Sequence, residues 1–582
     1  MRQKTLSIVT IVLVVLAVGF LCIFMFEPEV FGISESGSSP DYVKYFDPDK
    51  VTTVNLTISE ENWQDMLANP TAEEWHLASA EINGDVYDGI AIRTKGMTSL
   101  SQVASSDSDR YSFKLKGDEY VTGQTFAGLN KFVLNNNYQD PTSMREYLSY
   151  ELLTKLGVPT PLYAYAAVYI NGEYWGLYLM IEEVEDDFLE RNYGKNFGKL
   201  YKPESMDFGG GKDEKGGRMQ MPEGFGDEEL AQFAQMSDEE REAMMQQFRN
   251  QGQNGQNMQN PPDMQNMQGM PDMTGMPDMQ NMQPPSGNFP GGNFSGKDMP
   301  GGNMPGGGGP GGMGKGADLV YTDDEYDSYS TIFDGAVLNG LKKADKERVI
   351  TALKHLSEGT DLETYIDVDE VLRYFAVNTA IVNLDSYVSS LQHNYYLYEK
   401  DGKLSMLPWD WNLAFGAFQT NTSGAVNFPI DTPVTSGIEL SDRPMIGSLL
   451  AVDSYKETYH WYLSEICEYM ENTMPKRIDE IESMISPYVK ADPTAFYTYE
   501  EHVSGVENLK KYIALRAQSI RGQLNGTIPS TWDGQNADSS ALVDAGDLVI
   551  SGGMGGGGGF GGGNFPGQGH GRQGGENPPA RP

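Results

Sequence analysis

Apolar and polar residues alternate along residues 51–58, 91–93 and 111–116, a period of two that predicts half-buried antiparallel strands. Residues 168–170 and 174–181 flank Asn171-Gly172, two residues that both accept positive φ, which predicts a hairpin with a two-residue turn. Between these strands, residues 143–156 carry helical spacing, with Ser143 and Glu146 placed as a capping box and Gly157 as the stop. Past residue 317 the period lengthens: residues 346–357, 368–382, 454–470 and 500–524 repeat their apolar positions at helical spacing. Strands and one helix first, helices afterwards, predict an α+β protein of two lobes.

Composition removes much of the chain from any core. Residues 205–316 collapse into Gly, Met, Pro, Gln and Asn, with one short helix candidate at 237–249, and such a stretch is expected to stay disordered. Within it Met264, Met267, Met270, Met273, Met276, Met279 and Met282 recur every third residue, one face of a polyproline II helix. Thioethers are soft ligands of the kind that take Cu(I); the plainer alternative is repeat expansion in a surface loop. From residue 531 the chain turns polar and then Gly-rich, a predicted flexible tail. At the other end residues 6–26 carry no charge and follow Arg2 and Lys4, a run long enough to span a bilayer with its basic flank inside. The bulk of the protein is therefore expected outside the cytoplasm, held by a single-pass membrane helix or secreted if that segment is cleaved. The layout is a signal-anchor at 1–27, a strand-rich lobe at 41–204, an insertion at 205–316, a helical lobe at 317–530 and a disordered tail at 531–582.

Charge narrows the partners. Forty-two Lys and Arg against 82 Asp and Glu give a net charge of −40, which argues against nucleic acid, whose phosphates draw on clustered bases. An acidic protein that takes a nucleotide needs metal cations and a few placed bases to offset the repulsion. With two cysteines, Cys22 and Cys467, no intradomain disulfide holds the exported part together, and stability has to come from a core.

The candidate chemistry lies between Asn383 and Gly416. Asp385 sits in Asn383-Leu-Asp-Ser-Tyr387, Asn394 follows His393, and Asp410 sits in Pro408-Trp-Asp-Trp-Asn412. Asp, then Asn, then Asp ahead of Phe-Gly is the order in which a protein kinase presents its catalytic base and its two magnesium ligands, although Asn394 comes nine residues after Asp385 rather than five and no His-Arg-Asp is present. Phosphoryl transfer asks mainly for a carboxylate near the acceptor hydroxyl and for oxygen ligands that fix magnesium on the phosphates.

The segments Ser112-Phe-Lys-Leu-Lys116, Leu134-Asn-Asn-Asn-Tyr138, Met144-Arg-Glu-Tyr-Leu-Ser-Tyr150, Leu200-Tyr-Lys202, Asn383-Leu-Asp385, His393-Asn-Tyr395, Pro408-Trp-Asp410 and Asp442-Arg-Pro444 are collinear with, and together resemble, those of the CotH kinase-like family, the spore coat protein H family of atypical protein kinases. The resemblance implies an atypical protein-kinase-like two-lobed fold that binds ATP with Mg2+ and phosphorylates Ser or Thr hydroxyls of exported, surface or coat proteins. It implies Asp385 as the catalytic carboxylate, with Asp410 and Asn394 as metal ligands and Asn412 as an amide standing where the family often has a further acid. For the nucleotide, Lys114 and Lys116 share one face of a strand and are candidates for the α- and β-phosphates. Arg145 and Glu151 are candidates for a phosphate contact and for the lysine's ion-pair partner, and Glu182 ends the strand expected to lead into the adenine-reading linker. A non-catalytic kinase-like scaffold is the alternative, and glycoside cleavage by Asp385 and Asp410 is a third.

Overall fold

The alternating segments close on themselves. In the computed structural model, which describes residues 40–203 and 317–550, β1 (Val51–Ile58), β2 (His76–Ile82), β3 (Asp85–Lys95), β4 (Ser112–Lys116), β5 (Lys131–Asn135), β6 (Tyr163–Ile170) and β7 (Glu173–Glu182) form a closed barrel in the order β1-β2-β3-β4-β5-β7-β6. Each neighbour pair is antiparallel except the seam, where β1 runs parallel to β6 with Val51 opposite Tyr165. Closure removes the exposed edges that an open sheet of this length would leave. Inward positions such as Val54, Leu56, Ile82, Ile92, Phe113 and Leu134 form one apolar core. The hairpin turn has the expected form, with Asn171 at φ 51° and Gly172 at φ 87° between β6 and β7.

The helix that packs beside the barrel (Arg145–Lys155, α1) starts differently from the expected capping box. Ser143 lies outside it at φ 55°, and Asp140 supplies the cap instead by accepting from the Arg145 amide at 2.8 Å. Glu146 is thereby released from capping and points into the protein. Gly157, at φ 73°, stops the helix as expected.

After β7 come α2 (Asp186–Tyr193) and β8 (Lys199–Tyr201), and after residue 317 α3 (Lys343–Glu358) and α4 (Val368–Ala380). A hairpin of β9 (Tyr395–Lys400) and β10 (Lys403–Pro408) joins β8 in a small antiparallel sheet. The chain continues through α5 (Thr422–Asn427), α6 (Pro444–Leu450), α7 (Asp453–Asn472), α8 (Met474–Ala491), α9 (Tyr499–Leu524) and α10 (Trp532–Ala537). These helices share a second apolar core with α1 and the outer faces of β6 and β7. The expected helices appear with ends shifted by a few residues, and α8 is an addition, its Ile478, Ile481 and Ile485 buried despite Pro487 in its last turn.

The helical part also runs further than its composition suggests. Residues 531–550, expected as disordered tail, are packed chain: Val543 and Leu548 are buried, and the Asn427 side chain bonds both the amide and the carbonyl of Val543 at 2.9 Å. One buried amide thus satisfies backbone groups that a polar tail would otherwise leave to water. Among the described residues no helix is long and apolar enough to cross a membrane. The expected membrane segment at 6–26, the insertion with its helix candidate and methionine repeat, and residues 551–582 lie outside the described residues.

The barrel and the helical part are tied by a buried ion pair. Arg110, just ahead of β4, donates from Nη1 to both Asp492 oxygens at 2.8 and 2.9 Å and to Thr494 at 2.8 Å, while its Nε and Nη2 bond the carbonyls of Asn136 and Leu177. Asp492 also accepts from the Leu177 amide at 2.9 Å. Gly176 permits the approach, since a Cβ there would lie 2.3 Å from Arg110 Nη1.

Candidate active site

The β9–β10 ladder explains how residues sixteen apart in sequence meet. Pro408 pairs with Tyr395 at one end of the hairpin, so Asn394, one residue before β9, and Asp410, two residues after β10, leave the ladder at the same end. The other end is closed by Asp401-Gly402, both at positive φ. Asp385 is carried to that place by the loop after α4. Asn394 Nδ2 donates to Asp385 Oδ2 at 3.1 Å and to the Asp385 carbonyl at 3.0 Å, and His393 Nε2 sits 2.7 Å from Asp385 Oδ1. Both carboxylate oxygens are thus oriented, and the residue is 8% exposed.

Asp410 is half-buried at φ 57°. Burial pushes its pKa above the usual aspartate value; the Asp385 charge pushes it further, while Lys95, His393 and Lys202 pull it back. Among the described residues its carboxylate takes part in no hydrogen bond or ion pair. A desolvated carboxylate beside a second one, with no donor of its own, is costly unless a cation arrives. The Asn394 amide spends its nitrogen on Asp385, leaving Oδ1 as a hard oxygen acceptor. Carboxylate plus amide oxygen suits magnesium, which takes few protein ligands and completes its shell with phosphate and water. Among the described residues no three His, Cys, Asp or Glu side chains are grouped to hold a metal by themselves.

Opposite these groups the barrel contributes Lys95, at the end of β3. Its Nζ donates to Asn135 Oδ1 at 3.0 Å and lies 5.5 Å from the Trp409 ring centre, while Lys202, following β8, approaches the same ring at 5.9 Å. Asn135 passes the contact on, donating to Glu146 Oε2 at 2.9 Å. Lys114 bonds Glu183 Oε1 at 3.1 Å, and the other Glu183 oxygen is buried without a partner. Burial would raise Glu183, but the charges of Lys114 and Lys95 outweigh it and hold the group below its ordinary value.

Five of the expected residues belong elsewhere. Lys116 shares the strand face of Lys114 but reaches Glu119 at 2.9 Å, because the face extends past the cleft to the strand's end. Arg145 is buried against the 139–140 loop, bonding the Gln139 carbonyl at 3.1 Å. Glu151 points away from the barrel's lysines and joins Arg477 and the Tyr469 hydroxyl, each at 2.8 Å. Glu182 is fully buried between Tyr42, Arg191 and the Leu162 amide. Asn412 Nδ2 lies 3.5 Å from the Tyr138 carbonyl. Lys95, Glu146 and Lys202 were not singled out by sequence reasoning, which read Glu183 with Glu182 at the end of the strand and His393 as a hydrogen-bonded structural residue rather than a base. Lys95-Gly96 ending a strand was the available signal for the first, whereas Glu146 was disguised as a capping residue.

Glu146 carries a pH signature. Burial, and then the Asp410 charge, push it from 4.5 to about 7. Between those values the folded protein keeps a proton that the unfolded chain has released, so stability falls as pH rises through this window, by up to about 3 kcal/mol above it. Glu146→Gln is expected to flatten that slope and to unfold at higher temperature than wild type near pH 8 without divalent cations. Identical slopes in thermal melts of the two proteins between pH 5 and 8 would show that Glu146 titrates normally.

A stretch of 68 residues, 12% of this chain, is 37% identical to the Inner spore coat protein H of Bacillus subtilis (strain 168) and spans 19% of that relative's length. The family described as CotH kinase protein matches residues 92–267 and 315–520, which take in the barrel from β3 onward, both sides of the cleft and the loops that carry Asp385 and Asp410. On the extent of that match, the chain belongs to the CotH kinase protein family.

Proposed function

We propose that this protein is an atypical, ATP-dependent protein kinase with a two-lobed kinase-like fold, transferring the γ-phosphate to Ser or Thr hydroxyls of exported, surface or coat proteins. The observation that carries the reading is the Asp410 carboxylate, desolvated and without a hydrogen bond, held next to an Asp385 whose two oxygens are already oriented by His393 and Asn394. Asp385 accepts the proton of the acceptor hydroxyl; Asp410 and Asn394 offer the oxygens for magnesium. Magnesium bound there supplies neutralisation of the phosphate charge. Lys95 and Lys114 on the barrel, with Lys202 following β8, are the bases that offset the remaining repulsion from this acidic chain. The relative's spore coat name, together with the uncharged segment at 6–26, supports a coat or surface location, membrane-anchored or secreted.

A nucleotide-free scaffold is the second reading, favoured by one observation: position 412 is an amide, so that where an acid would add charge to the metal site it adds none. Incubation of the full chain with MgATP separates the two. The kinase reading expects a mass gain of one or more phosphates on the protein itself or on an added coat fraction, lost when EDTA is present. No transfer, together with no heat of MgATP binding in calorimetric titration, would leave the scaffold.

A further inference from the structure

Two buried arginines bracket the loop that carries Asp385, and among the described residues neither is paired with a carboxylate. Arg516, on α9 and 0% exposed, donates to the carbonyls of Thr379 and Ala380 at the end of α4, and to those of Val426 and Phe428. Arg443, at the start of α6 and 4% exposed, donates from Nε to the Tyr387 carbonyl at 2.8 Å and from Nη2 to the Ser389 carbonyl at 2.6 Å, with Nη1 on its neighbour Asp442 O at 2.6 Å. With its amide in the orientation the surrounding donors require, Gln392 Oε1 accepts from Arg443 Nη1 and Nη2 at 3.2 and 3.1 Å. The guanidinium also lies 5.8 Å from the Tyr387 ring centre.

Burying a guanidinium without a counter-charge costs several kcal/mol, and an apolar side chain of similar volume is often as good or better for stability alone. What the guanidinium adds is a planar fork of donors that fixes several carbonyls relative to one another. The loop needs such fixing. Val382, a β-branched residue, sits at φ 53°, Gln392 at φ 51° and Asn394 at φ 56°. Each is a conformation that costs on the order of 1–3 kcal/mol unless its surroundings hold it.

We propose that Arg443 is a positioning residue for Asp385: its fork clamps the carbonyls two and four residues beyond that carboxylate and the Gln392 side chain ahead of His393-Asn394, while Arg516 fixes the loop's other end. The Asp385 oxygens are thereby set between His393 Nε2 and Asn394 Nδ2 by the geometry of one buried cation. The kinetic part of this inference rests on the phosphoryl-transfer reading; the structural part does not.

The test uses the full chain carrying Arg443→Met, which keeps the alkyl stem and removes the donors. Expected are a kcat for phosphate transfer lower by about 100-fold, the loss that misplacing a reacting group by about 1 Å brings, a MgATP dissociation constant within twofold of wild type at unchanged stoichiometry, and faster amide exchange confined to residues 386–393. Should Arg443→Met fail to fold, Gln392→Leu removes an acceptor from the same fork at a half-buried position, and the same exchange pattern with a smaller kcat loss is expected. Unchanged exchange and kcat, or a kcat that falls only in step with MgATP stoichiometry, would overturn the proposal. If wild type transfers no phosphate, the kinase reading fails by itself, and exchange at 386–393 still decides whether Arg443 holds the loop.

Discussion

Asp410→Ala is expected to abolish phosphate transfer, by at least on the order of 10³-fold, while the metal-free protein changes little in stability, relief of the carboxylate charge offsetting the cost of alanine at φ 57°. The two halves of that result have one cause. In the free protein the Asp410 carboxylate is desolvated, lies near Asp385 and has no hydrogen bond among the described residues, so removing it relieves an unfavourable charge. On the kinase reading the same charge anchors magnesium with its nucleotide, so its loss is expected to remove transition-state stabilisation. Thermal melts give the independent check: magnesium with ATP should raise the melting temperature of wild type and leave that of Asp410→Ala unchanged, because a ligand stabilises only the state that binds it. Asp385→Asn should behave differently, keeping the ligand-induced shift while losing roughly 10²- to 10⁴-fold in kcat, the range for a removed general base. Transfer that survives in both variants would put the chemistry elsewhere.

Arg110→Met should give the largest loss of stability at any single site discussed, about 3–5 kcal/mol, because it strands Asp492 as an unpaired buried charge and leaves the Asn136 and Leu177 carbonyls without their donor. An exposed pair provides the control. Lys510 and Asp479 also form an ion pair, but both stay in contact with solvent, so Lys510→Met should cost less than about 1 kcal/mol. Chemical denaturation of the two variants side by side measures the difference. If Arg110→Met unfolds at the same midpoint as Lys510→Met, the buried pair does not tie barrel to helices.

Much of the cleft was legible in the chain because its groups sit where local pattern breaks. Asp385, Asn394 and Asp410 each interrupt a strand-like or helical apolar run, and a polar residue in such a run is either satisfied or functional. Those three do converge, and Lys114 faces Glu183 in the cleft as its alternation allowed. Lys116 shows the limit of the same rule: period two fixes which face a side chain takes, but not whether that face still borders the cleft two residues on. Glu146 shows another. Its spacing from Ser143 fits a capping box, yet Asp140 reaches the Arg145 amide first and leaves Glu146 free to turn inward.

By itself, then, the sequence determined what depends on neighbours within about one turn or one strand: the strand and helix periods, the Asn171-Gly172 and Gly157 backbone conformations, the strongly acidic balance and the polar residues that break apolar runs. Tertiary structure alone decided what depends on distant pairing. The closure of the barrel through a parallel seam, the register that brings Asn394 and Asp410 to one end of a hairpin, the packing of 531–550 onto Asn427, and the placing of Lys95 beside Asn135 and Trp409 all follow from contacts between residues far apart in the chain. The reason is physical: local propensity costs or gains fractions of a kcal/mol per residue, whereas each buried charge or unsatisfied amide costs several, and only the assembled fold settles which of them find partners.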